Sequence, residues 1–155
     1  MGKRAIYDEL AAELAGLIAG ERDLVANAAN MAALIYHGLP ELNWAGFYFA
    51  RDGELVLGPF QGKPACVRIA WGKGVCGSAA SRGVSIVVPD VHEFPGHIAC
   101  DPESRSELVV PLMLESRVVG VLDLDSPRLA RFDEADRAGC ERLVAILLAH
   151  HRDWP

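Results

Sequence analysis

The chain has 155 residues, of which 51% are hydrophobic and 23% are charged, and its formal net charge is −6. This length and composition predict one domain with a full core and exclude an intrinsically disordered chain. The acidic balance argues against a nucleic-acid partner, and no apolar run approaches the ~20 residues that cross a bilayer. We therefore expect residues 1–155 to form a single cytoplasmic domain, whose partner is a small molecule or another protein.

The first part of the chain predicts two helices followed by a β-hairpin. Apolar residues recur at helical spacing over residues 4–19 and again over about 21–37, after which Gly38 and Pro40 end the second helix. The strand-like runs NWAGFYFAR and ELVLGPF, joined by a glycine-containing turn, predict a hairpin. A short third strand is expected over residues 66–69.

The second part predicts a loop-rich insert, more strands and a closing helix. Residues 72–82 predict a short helix beginning near Gly74, followed by a strand up to Pro89 and a loop over 91–102. ELVVPLML and RVVGVLDLDS form a second strand pair, and Asp133 caps a helix running to about His151. These connections predict an α+β fold with an antiparallel sheet, terminal helices on one face and the insert on the other.

Three of the four cysteines lie in the insert: Cys66, Cys76 and Cys100. In a reducing compartment, clustered thiols are more often catalytic, redox-active or metal-binding than structural. Their spacings of ten and twenty-four residues lack the close pairs that are typical of zinc sites, so we expect no metal, even with His92 and His97 as further ligands.

The residues alone leave the role of these thiols open. Cys76 falls in the first turn of a predicted helix, where the helix dipole and free N–H groups stabilise a thiolate. The alternative is that the cysteines are small buried residues, which is what we predict for Cys140 on the last helix. His92 and His97 could assist proton transfer, or simply bond to the backbone.

Two acids, Asp123 and Asp125, lie two residues apart on a predicted strand and therefore point to the same face. Together they could bind a substrate cation, or one could be held protonated by its neighbour. The alternative, which the residues alone favour, is that the strand ends there and both acids are solvated. Glu107 presents the same choice between a surface acid and a site acid.

The first predicted strand places Trp44, Gly46 and Tyr48 on one face. A glycine between two aromatic residues leaves a notch, which marks either the close approach of a ligand or ordinary core packing. If this face is the one to which Asp123 and Asp125 point, the two aromatic side chains form a cradle beside the acids. That combination suits a small ligand with an apolar tip and an ammonium group.

Several segments resemble the GAF-fold free methionine-(R)-sulfoxide reductases: NWAGFY, LGPFQGKPACVRI, GKGVCG, VPDVHEFPGHIACD, SRSELVVPL and GVLDLDSP…RFDEAD. The match runs from Asn43 to the last helix, and the three-cysteine spacing is highly specific to that family. The resemblance implies a GAF domain with a six-stranded antiparallel sheet and a ligand pocket closed by the loop that carries Cys100. It also implies reduction of free L-methionine-(R)-sulfoxide without a cofactor and recycling by a thioredoxin-like reductant, and it makes a homodimer plausible.

The resemblance also assigns residue roles. Trp44 and Tyr48 would hold the methyl-sulfoxide end, and three acids would contact the ammonium and the sulfoxide oxygen: Glu107, Asp123 and Asp125. We predict Cys100 as the attacking thiol and Cys66 and Cys76 as resolving thiols, although Cys76 has the stronger dipole argument. The alternative function is a GAF module that binds a small molecule or senses redox state, and such a module would show no turnover.

Overall fold

The computed structural model describes residues 1–98 and 100–155, so the predicted loop over 91–102 includes one residue, Ala99, outside the described part. The elements in chain order are α1 (Lys3–Ile18), α2 (Leu24–Gly38), β1 (Trp44–Arg51), β2 (Glu54–Gly62), β3 (Arg68–Ala70), α3 (Gly74–Arg82), β4 (Ile86–Val88), a 3-10 turn (Val91–Glu93), β5 (Ser106–Leu114), β6 (Arg117–Ser126) and α4 (Glu134–His150). The predicted helices and strands are all present. In the described residues, no helix has the length and apolar character needed to cross a membrane.

The six strands form one antiparallel sheet in the order β3-β2-β1-β6-β5-β4. Each predicted hairpin, β1-β2 and β5-β6, is made of neighbouring strands, and the two hairpins join through the pairing of β1 with β6. The predicted α+β fold with a six-stranded antiparallel sheet is therefore confirmed.

Each face of the sheet buries a separate apolar cluster. On one face α1, α2 and α4 pack against an apolar layer that includes Phe47, Leu122 and Leu124. The opposite face carries a second cluster, which α3 covers and which includes Val109 and Val121. Burying each large apolar side chain contributes about 1.5–3 kcal/mol, so the alternation along residues 121–125 of β6 fixes its register and leaves the odd-numbered positions of that stretch to the α3 face.

The start of α4 is tied to α1 by a buried acid. Asp133 caps α4, as predicted, and forms a capping box with Asp136. The fully buried Asp136 carboxylate also accepts hydrogen bonds from the Tyr7 hydroxyl at 2.9 Å and the Lys3 ammonium at 2.6 Å. The sequence pattern indicates only a favourable dipole interaction for Asp136, whereas its contacts hold two helices together.

Gly139 on α4 gives a stability prediction, because a Cβ atom there would overlap the buried ring of Tyr7. Gly139→Ala should lower the free energy of unfolding by about 1–3 kcal/mol, as expected for overpacking, and urea unfolding would measure it. Gly16→Ala on α1 is the matched control, because its Cβ would meet open space and should stabilise the helix by about 0.5–1 kcal/mol. Equal effects of the two substitutions would contradict the close packing of α1 on α4.

Candidate active site

The sheet face beneath α3 brings the predicted acids and aromatic residues together. Glu107 on β5 pairs with Asp125 on β6, and Asp125 pairs on its other side with Trp44 on β1. On the next rungs of the same face, Asp123 lies opposite Gly46 and Tyr48 lies opposite Val121. The acidic and aromatic faces therefore coincide, which confirms the aromatic cradle beside acids.

The acids are not solvated. Strand β6 continues to Ser126, Asp123 is only 6% exposed and Asp125 is half-buried, so the alternative of two solvated acids at a strand end is wrong. Glu107 is likewise only 6% exposed. Within residues 1–98 and 100–155, the Oδ1 atoms of Asp123 and Asp125 are buried without a hydrogen-bond partner. A buried carboxyl oxygen without a partner is costly, so these two atoms point to a ligand that donates hydrogen bonds.

Burial and mutual repulsion keep protons on this acid cluster. Burial raises the pKa of Glu107 well above its ordinary value, and the neighbouring charges of Asp123 and Asp125 raise it further. Burial likewise raises the pKa of Asp125, with Asp123 adding to the effect, and burial raises the pKa of Asp123. Because like charges this close oppose ionisation of all three groups, the cluster favours at least one carboxyl group that keeps its proton.

Cys76 lies in the first turn of α3, directly over the acid cluster. Its Sγ is 4.0 Å from Glu107 Oε2, to which the thiol donates a weak hydrogen bond. The sequence argument for a thiolate at this position is wrong. Burial raises the pKa of Cys76 well above its ordinary value, and the charges of Asp123 and Glu107 raise it further, outweighing the helix dipole.

The same side chains, Cys76 and the acids beneath it, can be examined as possible ligands of a metal ion. In the part of the chain that the structure describes, the side chains that could meet around an ion are Cys76, Glu107 and Asp123, whose ligand atoms lie within 4.8 Å of one another. A metal would require each of them to lose its proton. Because burial raises the pKa of all three, the arrangement favours protons over a cation.

A disulfide joins the two loops that flank the cluster. Cys66, in the segment before β3, is bonded to Cys100, in the loop before β5, with their Cα atoms 5.6 Å apart. Both cysteines are half-buried, whereas Cys76 and Cys140 are free and buried. The prediction that Cys140 is a small buried residue is therefore confirmed.

The aromatic pair also holds the loop that carries Cys66. The Tyr48 hydroxyl donates to the Cys66 carbonyl at 2.9 Å, and Trp44 Nε1 donates to the Lys63 carbonyl at 3.1 Å. Burial raises the pKa of Tyr48, so its hydroxyl stays a donor. The two rings stack with their centroids 6.0 Å apart, which leaves the predicted aromatic wall in place.

The loop that carries Cys100 is anchored by a residue to which sequence reasoning gave no role. Asn43 Nδ2 donates to Asp101 Oδ2 and to Ser104 Oγ, each at 3.0 Å. A polar residue directly before a buried strand, inside the NWAGFY segment, was the available signal. Asn43 therefore links the start of β1 to the loop over the cluster.

The predicted site residues converge on one cavity of about 40 Å³ beneath these loops. It is lined by the aromatic pair, the acid cluster, two cysteines and one histidine: Trp44, Tyr48, Glu107, Asp123, Asp125, Cys76, Cys100 and His97. Burial lowers the pKa of His97, with a further contribution from His92, which is itself exposed. Of the predicted site residues, Cys66 does not line the cavity but follows the lining residue Ala65 and is bonded to the lining residue Cys100.

The notch at Gly46 is filled by the protein itself. A Cβ atom at this position would overlap the Cβ of Phe60, and the Phe60 ring stacks on Trp44 at a centroid distance of 5.2 Å. Gly46 therefore serves core packing between β1 and β2, and the ligand reading of this glycine is wrong.

Comparison with known proteins identifies the family. The GAF domain family model matches residues 25–147. Protein YtsP of Bacillus subtilis is 56% identical over 86% of this chain and 83% of its own length, and the free methionine-R-sulfoxide reductase of Escherichia coli is 50% identical over 95% and 89%. The structure of free methionine-R-sulfoxide reductase from Neisseria meningitidis in complex with its substrate superposes with a TM-score of 0.94 at 46% identity, covering 97% of this chain and 90% of that one. The chain belongs to the GAF-domain family of the free methionine-R-sulfoxide reductases.

Proposed function

We propose that this protein reduces free L-methionine-(R)-sulfoxide to L-methionine, with protein thiols as the electron source. The observation that carries the proposal is the Cys66–Cys100 disulfide, because Cys100 lines a cavity that three carboxyl groups also line. A dithiol pair supplies the two electrons of the reaction, and a protonated carboxyl group supplies a proton to the leaving oxygen. The activities of the named relatives support the same reaction.

The proposed reaction uses Cys100 as the attacking thiol. Its sulfur attacks the sulfoxide sulfur while a protonated carboxyl group, from Glu107 or Asp125, donates a proton to the sulfoxide oxygen. The hydroxyl then passes from the substrate sulfur to the Cys100 sulfur, the bond between the two sulfurs breaks, and methionine leaves. Cys100 is left as a sulfenic acid, and the proton that its thiol lost replaces the one that the carboxyl group gave. The Cys66 thiol then attacks this sulfur and releases water, which forms the disulfide.

The substrate would lie between the aromatic wall and the acids. Trp44 and Tyr48 present apolar surface to the methyl end, as a thioether-like group prefers. The unpartnered Oδ1 atoms of Asp123 and Asp125 can accept hydrogen bonds from the substrate ammonium. Cys66, which is bonded to Cys100, is the first resolving thiol, and Cys76, buried against Glu107, keeps its predicted place as a second one.

Reduction of the disulfide has to come before turnover. The Cys100 sulfur is bonded to Cys66, so it can attack the substrate only after that bond has been reduced. A thioredoxin-like dithiol is the proposed reductant, since both cysteines of the disulfide are only half-buried and a reductant can reach them. The homodimer remains a prediction.

The test of function is turnover by the purified protein. With excess dithiol, we expect methionine to form from the R epimer of free methionine sulfoxide and not from the S epimer, measured by amino-acid chromatography. Protein kept in its disulfide form without reductant is the control and should release no methionine. Conversion of neither epimer by the reduced protein would overturn the proposal, and binding without turnover would favour the alternative of a sensory GAF module.

A further inference from the structure

Both cysteines of the disulfide lie in loops that are held by residues at or beside β1. The Cys66 loop is held by the aromatic pair, because Trp44 and Tyr48 each donate a hydrogen bond to one of its carbonyl groups. The Cys100 loop is held by Asn43, the residue directly before β1. Each loop therefore has contacts to the same part of the sheet that do not depend on the disulfide.

Asn43 is itself fixed on the acid cluster through its backbone. Its N–H group donates to the carbonyl oxygen of Asp125 at 3.0 Å. Its side chain reaches the Cys100 loop, where Nδ2 donates one hydrogen bond to Asp101 Oδ2 and one to Ser104 Oγ, each 3.0 Å long. Asn43 thus connects an acid of the site with the residue next to Cys100.

The segment that Asn43 contacts is a turn closed by its own hydrogen bonds. The Asp101 side chain accepts from the Glu103 N–H at 2.9 Å, and the Asp101 carbonyl accepts from the Ser104 N–H at 3.2 Å. Asp101 and Ser104 are buried, and both line the cavity together with Cys100. Because this turn begins one residue after Cys100, a contact that holds the turn also holds the Cys100 backbone over the acids.

The Asn43 amide is held in an orientation that costs stability. Its Oδ1 atom is buried and has no hydrogen-bond partner among the described residues. The reverse orientation would place this oxygen against the Asp101 carboxylate and lose the bond that Nδ2 donates to it. A local cost of this kind is typical of a residue that is retained for function.

We propose that Asn43 is a positioning residue for the reaction, whose side-chain hydrogen bonds keep Cys100 over the acid cluster and within reach of Cys66 when the disulfide is open. This inference rests on the proposed function. In the oxidised protein the disulfide itself holds the two sulfurs together. In the reduced protein, which is the form that attacks the substrate, that bond is gone, and the position of Cys100 depends on the contacts of its loop.

The experiment replaces Asn43 by alanine, which removes both donated bonds, and by aspartate, which keeps the size of the side chain but, when ionised, donates nothing. In a single turnover of the fully reduced protein, Asn43→Ala should release methionine about 10- to 100-fold more slowly than the wild type, because the attacking sulfur is less well placed. KM should change by less than about threefold, since Asn43 does not line the cavity. Asn43→Asp should lose at least as much rate as Asn43→Ala.

A second measurement needs no substrate. Each protein is equilibrated with mixtures of reduced and oxidised dithiothreitol, in which the small dithiol reduces the Cys66–Cys100 disulfide and is itself oxidised to a cyclic disulfide. Without the two hydrogen bonds from Asn43, the open Cys100 loop has more conformational freedom to lose when the disulfide forms. The equilibrium of Asn43→Ala should therefore shift toward the protein dithiol by about fivefold to tenfold, a change that a role in packing alone would not produce.

Asn30→Ala is the matched control, because Asn30 is exposed on α2 and its loss should change neither the rate nor the equilibrium. A wild-type rate in Asn43→Ala would overturn the proposal, and so would an unchanged disulfide equilibrium. If urea unfolding shows that Asn43→Ala does not fold, Asp101→Ala removes the contact from the side of the loop and decides by the same two measurements. Failure of the proposed function is a separate result, since the wild-type protein would then release no methionine while its disulfide equilibrium can still be measured.

Discussion

Cys100→Ser is expected to abolish reduction of free methionine sulfoxide, with a loss of at least about 1000-fold in kcat, because a serine hydroxyl cannot replace an attacking thiol. The decisive measurement is a single turnover of fully reduced protein without added reductant. Wild-type protein should release one equivalent of methionine and form the Cys66–Cys100 disulfide. Cys100→Ser should release none.

Cys66→Ser provides the contrast within the same disulfide. It keeps the attacking thiol, so it should still release one equivalent of methionine, and the sulfenic acid that remains on Cys100 should react with a dimedone-type probe. Under steady-state conditions this variant should turn over slowly, because the disulfide that the reductant attacks does not form. A full equivalent of methionine from Cys100→Ser, with none from Cys66→Ser, would reverse the two proposed roles.

Regular alternation made most of the fold predictable. On β6, Leu122 and Leu124 face the three long helices while Asp123 and Asp125 face α3, as period-2 patterning requires. Asp133 caps α4, as its position before an apolar helical pattern indicates. Where local pattern and tertiary packing agree, the sequence alone is sufficient.

The electrostatic state of the site could not be predicted from local pattern. The first-turn position of Cys76 favours a thiolate, but burial raises the pKa of this thiol, and three acids from two different strands raise it further. The residue pattern favoured solvent exposure for Asp123 and Asp125, but β6 pairs with β1 on one side and β5 on the other, which encloses both acids. These outcomes depend on which residues the sheet brings together, and sequence spacing does not encode that.

The pairing of cysteines between the two loops could also not be predicted from the sequence pattern. Cys66 and Cys100 are 34 residues apart, and neither spacing nor residue type distinguishes this pair from one with Cys76.

Glu107→Gln is expected to lower kcat/KM by about 100-fold or more, because it removes one of the two proposed proton donors to the sulfoxide oxygen, yet to stabilise the fold near neutral pH. Glu107 is buried, and its pKa in the folded protein lies well above the ordinary value of 4.5 because of burial and the charges of Asp123 and Asp125. As pH rises through 4.5, the unfolded chain releases this proton while the folded protein retains it. Stability is therefore full below that pH and falls as pH rises toward the folded-state pKa.

Glutamine does not titrate, so the variant avoids this loss, and Asp123 and Asp125 also lose a charged neighbour. The free energy of unfolding of Glu107→Gln should exceed that of the wild type at about pH 8, and the difference should shrink toward about pH 4. Glu103→Gln makes the same chemical change on the loop surface, where Glu103 is 59% exposed and pairs with Lys63 at 3.3 Å, and it should change neither activity nor stability. Urea unfolding at several pH values would measure the effect. A Glu107→Gln variant that is less stable than the wild type at every pH would show that this carboxyl group serves packing. A variant that is less active but more stable than the wild type would show that the buried acid is retained for its chemistry.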